Sequence, residues 1–231
     1  MTGGPAQASG QDADELVLRV DGSRPLSAGT LADLAALCDR AEDGDGDHVV
    51  VHVSGSPGQT WPHDLTIALV TKWEREVRRF ERLPVSTIAV ADGDCGGPAL
   101  DVLLATDYRI ATPATRLVLP VSSAAVWPGM ALYRLVRQTT NSAAIRRAVL
   151  FGTPTPAADG LAQHLLDEVT DDPATALAAT RARTRYLSGR ELAVRRQLLH
   201  DAAAVSFEDA LGTHLAACDR TLRRATAEVP S

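Results

Sequence analysis

Apolar and polar positions alternate from Glu15 to Asp21 (ELVLRVD), which predicts a first strand. Pro25-Leu26-Ser27 then opens a helix. Ser27 is placed to cap it, and Leu31, Leu34, Leu37, Cys38 and Ala41 form one apolar stripe. The acidic, glycine-rich stretch Glu42–Asp47 ends that helix, and the β-branched run His48–Val53 predicts a buried strand. After a turn at Gly55-Ser56-Pro57-Gly58, Leu65–Arg82 reads as a helix stopped by Pro84. Val85–Ala91 is a further apolar strand. Asp92–Gly97 reads as a glycine loop and Pro98–Thr106 as a short apolar helix. Short strands are expected at Tyr108–Ala111, Leu117–Leu119 and Leu165–Val169, with helices near 129–139, 141–151 and 156–163. Strands that alternate with helices predict an α/β fold with largely parallel pairing. Past Asp172 the pattern changes. Residues 173–226 are rich in Ala, Leu and Arg without a β-branched run, which predicts two or three amphipathic helices. The expected organisation is a disordered N-terminal stretch 1–14, an α/β core over 15–172 and a helical region over 173–231.

Composition narrows the function more than the fold. The 231 residues are 45% hydrophobic and 23% charged, a globular balance. The net charge of −6 argues against a general nucleic-acid binder. Three widely spaced cysteines (Cys38, Cys95, Cys218) exclude a disulfide framework and fit a reducing compartment. No apolar run reaches membrane-spanning length and no signal peptide is visible, so a cytoplasmic, non-membrane protein is expected.

Candidate chemistry concentrates in Val85–Ala111. A buried strand runs into Gly93, then Gly96-Gly97-Pro98, then an apolar helix. Glycines before a helix allow close approach to its free N–H groups, which can hold a developing negative charge. Asp101 sits one turn into that helix, either as an acid/base group or as a partner of the helix dipole. Cys95, in the glycine loop, reads as a small buried thiol because no neighbouring histidine activates it. His63-Asp64, after Trp61-Pro62, is either an acid/base pair or ordinary loop polarity. His48 and His52 fall on one face of a strand about 13 Å apart, too far to share an ion. Ser122 and Ser123 lack a G-x-S-x-G context, and no phosphate-binding glycine loop occurs. Arg181, Arg183, Arg185, Arg190, Arg195 and Arg196 make a basic stripe, read as a solvated helix face or a phosphate contact.

From about Val49 to Val169 the chain resembles the crotonase (enoyl-CoA hydratase/isomerase) superfamily. Asp92–Val102 falls without a gap on the family's N-G-x-A-x-G-G-G-x-E-L, and Ala105, Asp107 and Ala111 fall on the A-x-D-x-x-x-A that follows. Leu117–Val121 matches F-G-x-P-E in position, Pro128–Leu135 matches P-G-x-G-x-x-x-R-L, and Phe151–Leu166 loosely matches the family's last core motif. The resemblance implies a crotonase-like ββα spiral with a C-terminal helical oligomerisation region. It also implies an acyl-CoA substrate, no cofactor beyond that CoA, no metal, and a trimer or hexamer. In such a family two backbone N–H groups hold a thioester oxyanion and two carboxylates move protons. Here one donor position is Pro98, which has no N–H, leaving Gly97 beside it. The other donor falls on Trp61 in Trp61-Pro62-His63-Asp64-Leu65. One carboxylate becomes Asp101 and the other Val121. Cys95, Gly96, Val121, Ser122 and Trp127 are the expected pocket residues, with Asp101 and His63 as the acid/base pair.

Within the family the pattern is similar to the DpgB-type accessory subgroup of glycopeptide-antibiotic pathways. The likeness is carried by DGDCGGPALDVLLATDYRIATP, VWPGMALYRL and the tail RRQLLHDAAAVSFEDALGTHLAACDRTLRR. That resemblance implies work beside a type III polyketide synthase, and related crotonase-like proteins, that form 3,5-dihydroxyphenylacetyl-CoA from malonyl-CoA. The implied task is dehydration and aromatisation of a CoA-bound polyketide. A non-catalytic partner subunit and an ordinary enoyl-CoA hydratase/isomerase are the alternatives.

Overall fold

Strands β1 (Leu16–Asp21), β2 (His48–Gly55), β3 (Ser86–Gly96), β4 (Tyr108–Ala111), β5 (Arg116–Val118), β6 (Thr155–Pro156) and β7 (Glu168–Val169) share one sheet. The structure is a computed structural model and describes residues 16–63, 65–121, 125–202 and 205–227. The stretch 1–14, Asp64, Ser122 and Ser123 lie outside the described residues, as does the side chain of Arg190. The order β1-β2-β3-β4-β7 is parallel throughout, while β5 adds to β3 and pairs antiparallel with β6. Val49, Val50, Val51 and Val53 of β2 and Ile88, Ala89 and Ala91 of β3 are fully enclosed, as befits central parallel strands covered on both faces.

The expected glycine loop at Asp92–Gly97 is instead the second half of β3. Residues 88–91 pair with β4; residues 94–96 pair with β5. Gly93, at φ +66°, makes the change of direction between those partners, a conformation that favours glycine. The Arg116 guanidinium grips both oxygens of Asp94 at 2.6 and 2.7 Å and holds the second half extended. Long-range pairing of this sort overrides the local turn signal of the glycines.

Helix α1 (Ala28–Asp43) starts where Ser27 Oγ accepts the Thr30 N–H at 3.2 Å and ends at left-handed Gly44. Helix α2 (Ile67–Phe80) is capped by Thr66 and buries Val70, Trp73, Val77 and Phe80. Helix α3 (Pro98–Leu104) is buried along its whole length, with Pro98 at its first turn. Helices α4 (Ala131–Gln138), α5 (Ser142–Phe151) and α6 (Ala157–Ala162) follow.

The tail forms α7 (Pro173–Thr184), α8 (Gly189–Ala202) and α9 (Phe207–Ala227). It folds back on its own core. Ala176 and Leu177 of α7 pack with Ile88, Tyr108 and Ile110. Arg196 of α8 is buried and donates to the Asp107 carboxylate and to the carbonyls of Leu83 and Val85. Arg196 therefore departs from the solvated stripe expected of the tail arginines: it is a tertiary anchor. Arg183 lies over the Tyr108 ring at 4.7 Å, while Arg195 stays at the surface with Glu191. His48 Nε2 lies 3.1 Å from Thr184 Oγ1, a structural contact between β2 and α7. Among the described residues no helix is long and apolar enough to cross a membrane.

Candidate active site

The strand-to-helix junction places Gly97 (φ +55°) at the start of α3, and one turn later Asp101, whose N–H donates to the Gly97 carbonyl at 3.0 Å. The Asp101 side chain is fully buried. Its Oδ2 accepts two indole N–H bonds, from Trp73 of α2 at 3.1 Å and from Trp127 at 2.9 Å. Its Oδ1 has no partner among the described residues. Burial pushes the carboxyl up to about 7, the negative charge of Glu74 pushes the same way, and Arg134 with the two indoles opposes both. Asp101 is thus poised between acid and carboxylate near neutral pH, as a proton carrier requires.

Gly129 lets this carboxylate close against the chain. A Cβ there would lie 2.5 Å from Asp101 Oδ2 and from the Trp127 indole nitrogen. Around the hub runs a buried ionic chain. Glu74 accepts from the Met130 N–H at 2.7 Å and from Arg134 at 3.0 Å, and Arg134 also donates to Glu81 at 2.6 Å. Burial alone would raise the Glu81 pKa, but Arg134 and Arg78 outweigh it and hold it below the ordinary value.

The α3 start is tightly packed among the described residues. A Cβ on Gly97 would meet Pro57 Cγ at 2.5 Å and Trp127 Cη2 at 3.4 Å. Trp61 and Trp127 meet edge to face with centroids 5.4 Å apart. A cavity of about 50 Å³ remains between Arg24, Pro57, Trp61, Leu65 and Trp127. A cleft that holds a thioester arm is roughly 300 Å³ or more, which this cavity does not reach.

The sequence-expected residues separate into two groups. Asp101, Gly97, Trp61 and Trp127 come together, but Trp61 contributes its indole: its N–H is engaged with the Gly58 carbonyl at 3.3 Å in a short 3₁₀ turn, which corrects the expected amide donor. His63 is exposed at the end of that turn and has no contact with the enclosed Asp101, so the expected acid/base pair does not form here. Cys95 faces β2, its thiol donating to the Val53 carbonyl at 3.5 Å, and burial pushes its pKa up to about 12. It is core, not pocket. Gly96 is covered by Ser56. Val121 forms an isolated bridge with Val126 and offers no proton-transfer group. Trp73, Glu74 and Gly129 were missed as site residues. Trp73 reads simply as part of the α2 apolar face, and nothing local marks where its N–H points.

A parallel sheet feeding a buried helix through a glycine junction, with a carboxylate one turn in, is a crotonase-type fold. A relative from Amycolatopsis orientalis, an "Enoyl-CoA-hydratase", is 56% identical over 211 residues, 91% of this chain and 97% of its own. The chain belongs to the enoyl-CoA hydratase family. Solved structures agree on the fold. An enoyl-CoA hydratase from Thermoplasma volcanium matches with TM-score 0.76 at 17% identity over 93% of each chain. An enoyl-CoA hydratase/isomerase from Marinobacter aquaeolei matches with TM-score 0.74 at 16% identity over 90% of this chain and 87% of its own. No protein-family model matches the chain.

Proposed function

We propose that this protein is an auxiliary dehydratase of the enoyl-CoA hydratase family, acting on a CoA-bound polyketide beside a type III polyketide synthase that forms 3,5-dihydroxyphenylacetyl-CoA. The observation that carries this reading is Asp101: a fully buried carboxyl near pKa 7 with one oxygen tied to two indoles and the other unpartnered. The carboxylate takes the proton from the carbon α to the thioester through Oδ1. The electron pair left behind forms the C=C bond as the β C–O bond breaks. Oδ1 then gives that proton to the departing hydroxyl, which leaves as water, and the carboxylate is regenerated. One carboxyl serves both halves of the elimination, so the valine at position 121 is compatible with dehydration. Loss of water that ends in an aromatic ring is downhill, which lowers the demand on oxyanion donors that Pro98 has reduced. Substrate entry in this reading displaces the Pro57-Gly58 turn.

A second reading, a non-catalytic partner of the synthase, is favoured by the small cavity, about 50 Å³, between Pro57, Trp61 and Trp127. Synthase turnover and product profile, measured with wild type and with Asp101→Asn, separate the two. Loss of stimulation in a folded Asp101→Asn protein supports catalysis. Full stimulation by it leaves the binding role.

A further inference from the structure

Trp73 and Glu74 are neighbours on α2 and point about 100° apart around the helix. Trp73 is fully buried and donates to Asp101. Glu74 reaches the same hub through the segment before α4. One of its oxygens accepts the Met130 N–H at 2.7 Å. The residue before Met130 is Gly129, whose added Cβ would lie 2.5 and 2.8 Å from the two Asp101 oxygens. A shift of Glu74 therefore moves the backbone that walls Asp101 in.

The other Glu74 oxygen takes Arg134 at 3.0 Å. Arg134 is buried and divided, because it also donates to Glu81 at 2.6 Å, and Glu81 in turn takes Arg78 at 2.6 Å. The series Arg78, Glu81, Arg134, Glu74 alternates in sign and ends, at the hub, on a carboxylate. The charged groups set against Asp101 are Glu74 from α2 and Arg134 from α4. Trp73, Trp127 and Gly129, which also touch it, carry no charge, and α3 has no other titratable side chain. A like charge beside a buried carboxyl favours its protonated form, and an opposite charge favours its ionised form. Arg134 is shared with Glu81, so it does not cancel the charge of Glu74.

We propose that Glu74 and Arg134 are a positioning pair for Asp101: they hold the Gly129–Met130 wall against the carboxyl, and with opposite charges they set how tightly it keeps its proton. This deepens the reading of Asp101 as the proton carrier and rests on it. Neither residue touches the reacting atoms in that reading; both act through Asp101. Both also line a cleft of about 680 Å³ between α2 and α4. An amide at either position can turn to water there, so both substitutions are expected to leave the fold intact.

The test follows the Asp101 carboxyl itself, by carbon-13 NMR of aspartate-labelled protein titrated across the neutral range, with Asp101→Asn to identify the signal. The wild-type midpoint is expected at about 7. Glu74→Gln is expected to lower it to about 6, and Arg134→Gln to raise it above the wild-type value. Glu76→Gln removes a charge of the same helix that pairs with Arg79 instead of the hub, and is expected to leave the midpoint in place. Loosening of the hub would admit water and lower the midpoint in both hub variants, so opposite movements separate charge from packing. Circular dichroism confirms folding, and either hub variant alone tests the direction. A folded hub variant whose midpoint stays at the wild-type value, or moves against the direction named, overturns the proposal and leaves Asp101 as the proton carrier. An equal movement in Glu76→Gln overturns it too. A wild-type midpoint at the ordinary 3.8 overturns the proposal together with the reading it rests on.

Discussion

At the scale of single residues, Asp101 decides what the site can do. A fully buried carboxyl whose pKa rises from 3.8 to about 7 on folding binds its proton more tightly in the native state than in the unfolded one. Its favourable contribution is complete below pH 4, is lost as pH rises towards 7, and changes no further above that. Wild-type stability relative to Asp101→Asn is therefore expected to fall between pH 5 and 7.5, because an amide has no proton to lose. Urea denaturation of both proteins at a series of pH values measures it; parallel pH profiles would show that Asp101 does not titrate in this range. Gly129 is the companion constraint. A methyl group there meets Asp101 and Trp127, both buried and tied to each other, so neither can move aside cheaply. Gly129→Ala is expected to cost about 1–3 kcal/mol, as overpacking does. Thermal melting checks this, and an unchanged midpoint would mean the hub relaxes freely.

At the scale of elements, the glycine junction and the tail show what local patterning reveals and what it leaves out. Ser27 as a cap, the α1 stripe and β4 at Tyr108–Ala111 follow from local chemistry and lie where the sequence places them. The second half of β3 does not, because Gly93, Gly96 and Gly97 signal a loop while the partner that straightens the chain, β5, arrives twenty residues later. The same holds for the site. The motif around Asp101 is legible, but the indoles that hold it come from α2 and from the segment before α4, brought in only by folding. Arg196 is the clearest case in the tail. It reaches Asp107, Leu83 and Val85, and so pins α8 beneath β3. Its loss leaves two carbonyls without this donor, while Asp107 keeps Thr87 and is 37% exposed, which moderates the charge penalty. Arg196→Ala is expected to cost about 2–3 kcal/mol and to open α8 to proteolysis before the core, whereas Arg195→Ala at the surface costs under about 0.5 kcal/mol. Equal effects of the two substitutions in denaturant melts and limited digestion would remove the anchor role.

At the scale of the whole molecule, the chain keeps the fold of the enoyl-CoA hydratase family. Gly97 is packed against Pro57 and Trp127, and the positions that the resemblance assigns to an N–H donor and a carboxylate hold Pro98 and Val121. Beside them lies Asp101, an enclosed carboxyl that burial pushes up to about 7. On the proposed reading, such a chain carries out a downhill elimination on an intermediate delivered by a partner rather than reversible hydration of a free enoyl-CoA. The most direct measurement is the pH dependence of synthase stimulation by wild type and by Asp101→Asn. Because the carboxylate form must take the α-proton, stimulation by wild type is expected to rise as pH passes through about 7. Asp101→Asn is expected to stay low at every pH while remaining folded. A folded Asp101→Asn protein that stimulates the synthase as wild type does, with the same pH profile, would contradict the catalytic role of Asp101.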